Sequence, residues 1–244
     1  MTVKKALMFT VAFVLVGLLV AGCGGGNSRD AQKVLDKALS NMKKWTSFKG
    51  TMKASTTSSS SPSPASTGSA VFDVTTEGGV KMHTVTDYAG TKVEQYQIGD
   101  TTYAYMEGQG WAKQQSTSTN QLNVEIANAL KKGVKDLKIL SQDAGSYRLS
   151  FKMAAPDSSA QDSSSSSSTS ETSETNFVVK VDKPTTNITE MKVTASSGSG
   201  SSMQNQTQVY SFSDLNSPIT ITLPEEAKNA KSAQEQSTPG SSGL

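Results

Sequence analysis

The clearest β-strand pattern in the chain is Tyr147-Arg148-Leu149-Ser150-Phe151-Lys152-Met153. Its apolar and aromatic side chains alternate with polar ones, which is typical of a strand with one face in a core and the other in water. Similar alternation recurs at residues 70–76, 177–181 and 187–195, and short Gly-containing turns separate the predicted strands between residues 76 and 110. The sequence therefore predicts an antiparallel sheet formed largely from hairpins.

Two segments break this alternation and have helical spacing. In residues 29–44, apolar side chains recur every three or four positions, and lysines occupy the other side. Ser28 can cap this helix, and Asp30 lies in its first turn, where the helix dipole favours an acid. Residues 120–132 have the same spacing and end before Gly133, a typical helix terminator.

These patterns together predict the fold class. We expect an α+β domain with a strongly curved antiparallel sheet of about 10–11 strands, a half barrel with two helices on its concave side. The side chains expected to face its interior are Trp45, Phe72, Leu149, Phe151, Phe177, Val179, Val181 and Phe212.

Three serine-rich stretches interrupt the strands, at residues 56–69, 157–175 and 196–202. They contain too little apolar surface to offset the entropy of ordering, so we expect mobile hairpin tips. A domain linker stays open as the alternative for the longest stretch. Residues 29–226 then form one domain, and the polar residues 227–244 are expected to be a disordered tail.

The N-terminal segment has the pattern of a signal peptide. Lys4 and Lys5 precede the mostly aliphatic residues 6–19, a run shorter than the ~20 residues of a membrane span. The segment ends in Leu19-Val20-Ala21-Gly22-Cys23, which looks like a lipobox. We expect removal of residues 1–22 and a diacylglycerol, with palmitate-type acyl chains, on Cys23. Residues 23–28 would then tether the domain to the extracytoplasmic face of the cell membrane. An uncleaved transmembrane anchor is the alternative.

Charge and cysteine content restrict the function further. The chain has 23 basic and 21 acidic residues, and removal of residues 1–22 takes away two lysines and leaves the two equal. A neutral domain is not expected to bind nucleic acid. Cys23 is the single cysteine, so no disulfide can form within the chain. The oligomeric state stays open, with a monomer as the favoured expectation.

Residues for catalysis are scarce. His83 is the single histidine, and it lies in the middle of a predicted strand. A solvent-facing role is therefore favoured over a catalytic one. The sequence has neither a zinc-ligand pattern nor a phosphate-binding glycine loop. We expect no enzymatic activity, no cofactor and no metal site.

Aromatic and methionine residues are the remaining candidates for a site. Ordinary packing of one sheet face against the helices explains them, but so does a sheet face that lines an apolar cavity, and methionine suits such adaptable contacts. The possible lining residues are Phe72, Met82, Tyr96, Tyr103, Tyr105, Trp111, Leu149 and Phe151.

The order of these elements resembles the LolA-like fold. After the lipobox come the first helix, Ser47-Phe48-Lys49-Gly50 and the strand meander, and two stretches carry the likeness further. Residues 96–103, with Gly110-Trp111 soon after, look like the central hairpin of LolA-like lipoproteins, and residues 209–216 look like their closing strand. Similar proteins include the LppX/LprG-type lipoproteins and related Gram-positive families.

The resemblance implies a function. Its characterised members carry acylated molecules in an apolar space between a curved sheet and its helices, so this chain would bind a lipid or another hydrophobic ligand. The serine-rich stretches and the threonine- and glutamine-rich strands depart from the family, and they leave a small or absent cavity open. The alternative is a structural or sensory envelope lipoprotein with a protein partner and no ligand cavity.

Overall fold

The computed structural model describes residues 28–58, 66–115, 122–154, 174–197 and 204–232. Within these ranges no helix is long and apolar enough to cross a membrane. The described residues form three helices: α1 Ser28–Met42, α2 Leu122–Lys132 and α3 Glu225–Lys228. The strands are β1 Ser47–Ser58, β2 Ser66–Thr75, β3 Lys81–Tyr88, β4 Thr91–Ile98, β5 Thr101–Met106, β6 Gly110–Gln115, β7 Val134–Gln142, β8 Ser146–Ala154, β9 Glu174–Asp182, β10 Ile188–Ser197, β11 Gln204–Ser213 and β12 Lys231–Ser232.

All described strands belong to one open sheet in the order β12-β6-β5-β4-β3-β2-β1-β11-β10-β9-β8-β7. Neighbours are antiparallel, except that β12 runs parallel to β6. The α+β half barrel predicted from the sequence is confirmed. It has 12 strands, one more than the upper end of the predicted range, because the chain adds the two-residue β12 at the edge.

The first helix forms where its apolar spacing predicts. Its inward side chains are buried, with exposures of 2% or less: Ala31, Leu35, Ala38, Leu39 and Met42. Asn123 of α2 binds the end of this helix, because its Nδ2 donates to the carbonyl oxygens of Met42 at 2.8 Å and Trp45 at 3.1 Å. The two helices are thus joined by buried hydrogen bonds as well as by apolar contact.

The core lies between these helices and one half of the sheet. Trp45 packs against Phe48 and Phe212 with ring centroids 5.4 and 5.5 Å apart. Phe151 and Phe177 stack at 5.0 Å with an interplanar angle of 3°. All of the predicted interior residues are buried except Phe72, which is half-buried.

The chain stays ordered beyond the predicted domain boundary at residue 226. Ala227 is 0% exposed and Ala230 is 6% exposed, and Lys231 pairs with Ala112 of β6. The tail predicted at 227–244 therefore starts too early, because these two alanines bury their side chains; residues 233–244 lie outside the described residues.

The strands also extend into the serine-rich stretches. The strand β1 continues to Ser58 and β2 begins at Ser66, so the predicted loop at 56–69 is shortened from both sides. Ten cross-strand pairs join these two strands, including Thr56 with Ser66, because threonine and serine can join a ladder through their backbone. Most of the stretches at 157–175 and 196–202 lies outside the described residues.

Candidate functional site

On the concave side, the core ends in a margin of half-buried side chains. Phe72, Met82, Val193 and Tyr210 pack against the core and keep part of their surface in solvent. The strand register places them all on the core face; Phe72, for example, is paired with buried Gly50. We call these four residues the apolar margin. Its side chains have apolar surface that another apolar group could still bury.

Tyr210 gives this margin a polar group without a charge. Burial raises the pKa of its phenol above the ordinary value. The hydroxyl therefore stays protonated at neutral pH, and it donates to Oε1 of Gln208 at 2.7 Å. A ligand at the margin would meet three apolar side chains and one neutral hydroxyl.

Beyond Met82 the concave face is mixed in character. Following the register across β3 to β6, the polar positions on the same face as Phe72 and Met82 are Thr84, Thr86, Gln95, Gln97, Thr102 and Gln114, and the apolar ones are Val93, Ala104, Met106 and Ala112. All of these have solvent access. An apolar lining therefore does not extend across the whole sheet.

Leu149 and Phe151 are core residues in this structure. Leu149 is 0% exposed and Phe151 is 2% exposed. The ring of Phe151 is stacked on Phe177, which leaves no room on that side for a ligand. Of the predicted lining residues, only Phe72 and Met82 lie on the concave face with surface to offer.

The other four predicted lining residues lie on the opposite, outer face. Tyr96 pairs with Tyr103, and Tyr105 pairs with Trp111, in positions that alternate with the core-face positions. Their rings form a cluster in which Trp111 lies 5.9 Å from Tyr96 and 5.3 Å from Tyr105. They cannot line a cavity between the sheet and its helices, because the sheet itself lies between.

A polar network is attached to this outer cluster. Glu94 Oε1 accepts a hydrogen bond from the Tyr96 hydroxyl at 2.9 Å and lies 3.0 Å from His83 Nε2. The rings of His83 and Tyr96 stack at 4.4 Å. Burial, together with the hydrogen bond to Glu94 and its charge, raises the pKa of Tyr96 to about 12. The three side chains form one unit on the outer face.

Two shallow depressions also lie on the outer side. One, of about 450 Å³, is bordered by Lys53, Ser69 and Asp87, at the ends of β1 to β3. The other, of about 270 Å³, is bordered by Glu94 and Tyr105. Neither depression includes a residue of the apolar margin.

Cys23, the predicted lipidation site, lies outside the described residues. Within the described part of the chain, no group of three or more His, Asp or Glu residues is placed to hold a metal ion. On the concave side, the apolar margin is the candidate for a ligand site.

The sequence interpretation did not include two members of this margin, Val193 and Tyr210. A signal for both was present. Val193 lies two positions after buried Met191 in β10, and Tyr210 lies two positions before buried Phe212 in β11. Period-two alternation therefore places both on the core face.

Comparison with known proteins identifies the fold. Neither the protein-family models nor the curated protein sequences gave a match. LprF from Mycobacterium bovis has a similar structure, with a TM-score of 0.54 and 14% identity over 82% of this chain and 99% of LprF.

Two further solved structures match with lower TM-scores. A DUF1329 family protein from Desulfovibrio piger matches with a TM-score of 0.32 and 10% identity, over 81% of this chain and 96% of its own. A LolA superfamily protein from Nitrosomonas europaea matches with a TM-score of 0.29 and 14% identity, over 80% and 95%. The similarity to LprF supports the LolA-like fold predicted from the sequence.

Proposed function

We propose that the chain is a lipid-anchored extracytoplasmic protein that binds a lipid or another hydrophobic ligand on the concave side of its half barrel. The anchor is Cys23, the last residue of the lipobox pattern. The ligand site is the apolar margin, where the core face remains partly open. The LolA-like resemblance supports the ligand class.

The apolar margin is the observation that carries this proposal. Phe72, Met82 and Val193 each expose apolar surface beside a filled core, and burying such surface contributes about 25 cal/mol per Å². A hydrocarbon chain laid along them would extend the core without displacing it. Met82 suits this role, because its unbranched thioether adapts to different ligand shapes.

Binding can be tested with a fluorescent long-chain fatty acid and residues 24–244, which lack the signal peptide and the proposed lipidation site Cys23. The variant Met82→Glu places a charge at the margin and should abolish the fluorescence increase. The matched control is Val71→Glu on the neighbouring strand, because Val71 lies on the outer face and is 55% exposed. The proposal fails if both variants bind equally well, or if the unmodified chain does not bind.

Lipid analysis of protein purified from its own host is the complementary experiment. A reproducible acylated molecule that copurifies with the chain would support the proposal. Mass spectrometry of the N-terminus tests the anchor separately. The variant Cys23→Ser should lack the lipid and should no longer be retained at the membrane. An unlipidated Cys23 in membrane-extracted protein would contradict the anchor but not the ligand site.

A structural or sensory lipoprotein with a protein partner is the second candidate. Its support is that Leu149 and Phe151 fill the core, whereas both depressions described above open on the outer side. This alternative predicts ligand-free protein from the host and a specific cross-linked partner. Cross-links that involve the cluster of Tyr105 and Trp111 would favour it.

A further inference from the structure

The outer side of one half of the sheet carries a concentration of positive charge. Three cross-strand rows run from β1 through β11, β10, β9 and β8 to β7, and they begin at Thr51, Lys53 and Ser55. Their basic residues are Lys53, Lys135, Lys138, Arg148, Lys152, Lys180 and Lys192. Glu190 is the one acidic residue in these rows. We call this surface the basic face.

Two pairs of like charges lie directly opposite each other on the basic face. Arg148 is paired with Lys180, and Lys135 is paired with Lys152. Like charges in such positions destabilise a sheet. Acidic groups relieve both pairs in part. Asp136 lies 4.0 Å from Lys152, and Lys180 is the register partner of Glu190 and interacts with the charges of Asp143 and Asp182. An anion over the face would relieve the repulsion that remains.

The composition gives no hint of this face, because basic and acidic residues are equal in number after residue 22. The fold brings the charges together by placing every second residue of six strands on one side. The rows span roughly 24 Å across the strands, at about 4.8 Å per strand.

The side chains between the cations suit a polyanion better than a protein partner. The rows contain hydroxyl and amide groups, with Val178 and Val209 as the apolar residues and no aromatic one. Protein interfaces depend on buried aromatic and apolar anchors, which these rows lack. Lysine ammonium groups act as point charges that bind phosphate without fixed geometry.

We infer that the basic face binds a linear anionic polymer with repeating phosphate groups. A membrane surface has similar chemistry, but the position of α1 disfavours it. This helix packs against β7 and β10 through its buried apolar side, on the core face, so Ser28, where the proposed tether would join the domain, lies on the side of the sheet opposite the basic face. The choice of polymer over membrane rests on the proposed anchor at Cys23.

Inorganic polyphosphate is the probe for this inference, used with residues 24–244, which lack the signal peptide and the proposed lipidation site Cys23. We expect binding at about 50 mM salt that weakens steeply at higher salt, as counterion release requires. The triple variant Lys53→Gln, Arg148→Gln and Lys192→Gln removes three exposed charges from the basic face. It should weaken binding about a hundredfold, at about fivefold per cation, and reduce the salt dependence.

The matched control removes three exposed charges elsewhere, with Lys33→Gln, Lys37→Gln and Lys44→Gln in and just after α1. It should leave polyphosphate binding unchanged. Equal loss in both variants, or no binding by the unmodified chain, would overturn the inference. Binding to vesicles with anionic lipids but not to polyphosphate would overturn it in favour of a membrane surface. Fatty-acid binding is a separate readout, so failure here does not affect the proposed ligand site.

Discussion

The ring of Phe72 lies directly over Gly50 on the neighbouring strand. A Cβ atom added to Gly50 would fall 2.2 Å from two atoms of that ring. The two residues are register partners on the core face, and Phe72 also contacts Phe48 and Phe212 edge-on at 6.2 and 6.4 Å. The absence of a side chain at Gly50 therefore allows the apolar margin to join the aromatic core.

The substitution Gly50→Ala should destabilise the fold by about 1–3 kcal/mol, because Phe72 must leave its position to avoid the new methyl group. Urea denaturation monitored by tryptophan fluorescence measures this. The control is Gly68→Ala on β2, where the nearest atom, in the ring of Tyr88, is 3.1 Å away and the cost should be smaller. Equal effects would show that the contact with Phe72 is not special.

Truncation of Phe151 tests whether it is a core residue or a cavity lining. Phe151→Ala removes a 2% exposed ring that stacks on Phe177, and it should cost about 3–5 kcal/mol in the free energy of unfolding. Val178→Ala, on the outer face of β9, should cost far less. A loss below about 1 kcal/mol for Phe151→Ala would mean that the core around it is loosely filled.

The hydrogen bonds of Asn123 are expected to stabilise the end of α1. Asn123→Ala removes both hydrogen bonds to the end of α1 and leaves two carbonyl groups without this donor, at a cost of about 1–3 kcal/mol. The Oδ1 atom of Asn123 has no hydrogen-bond partner among the described residues, so its removal offsets part of that cost. Hydrogen exchange should show faster opening at the end of α1. Unchanged protection there would contradict a role in joining the helices.

The fold could be predicted from local patterns. Assigning a side chain to one face of the sheet or the other also required the register between the strands. The spacing of Ala31, Leu35 and Ala38 predicted the first helix, and alternation in β8 predicted the core face. Residue type alone puts Tyr96 and Tyr103 in the same predicted lining as Phe72, although they lie on opposite faces of the sheet. The two-residue turn at Gly99 and Asp100 places the two tyrosines opposite each other, and the turns before it place them on the outer face.

Some features could be derived from the turn lengths, and others depended on long-range pairing. The short turn lengths were visible, so the side of Tyr96 could have been derived by counting residues across each hairpin. The basic face required the order of β7 to β11 relative to β1, which depends on long-range pairing. The burial of Ala227 and Ala230 depends on contact with an edge that is more than 100 residues away. No local pattern in a polar tail predicts such a contact.

The raised pKa of Tyr96 predicts that the free energy of unfolding falls at high pH. Its pKa is raised to about 12, first by burial and then by the hydrogen bond and charge of Glu94. Because the folded value lies above the unfolded value of 10.0, the neutral phenol stabilises the fold fully below pH 10. This contribution is lost as the pH rises from 10 toward 12.

The variant Tyr96→Phe should therefore lose less stability than the unmodified chain between pH 10 and 12. Thermal melting across this range measures the difference. Glu94→Gln should lower the pKa of Tyr96 only in part, because burial is the largest cause of the shift and Glu94 is not. Ultraviolet titration of the phenol measures that change. If Tyr96 titrates at its ordinary value in Glu94→Gln, the carboxylate of Glu94, and not burial by the aromatic cluster, is the main cause of the raised pKa of Tyr96.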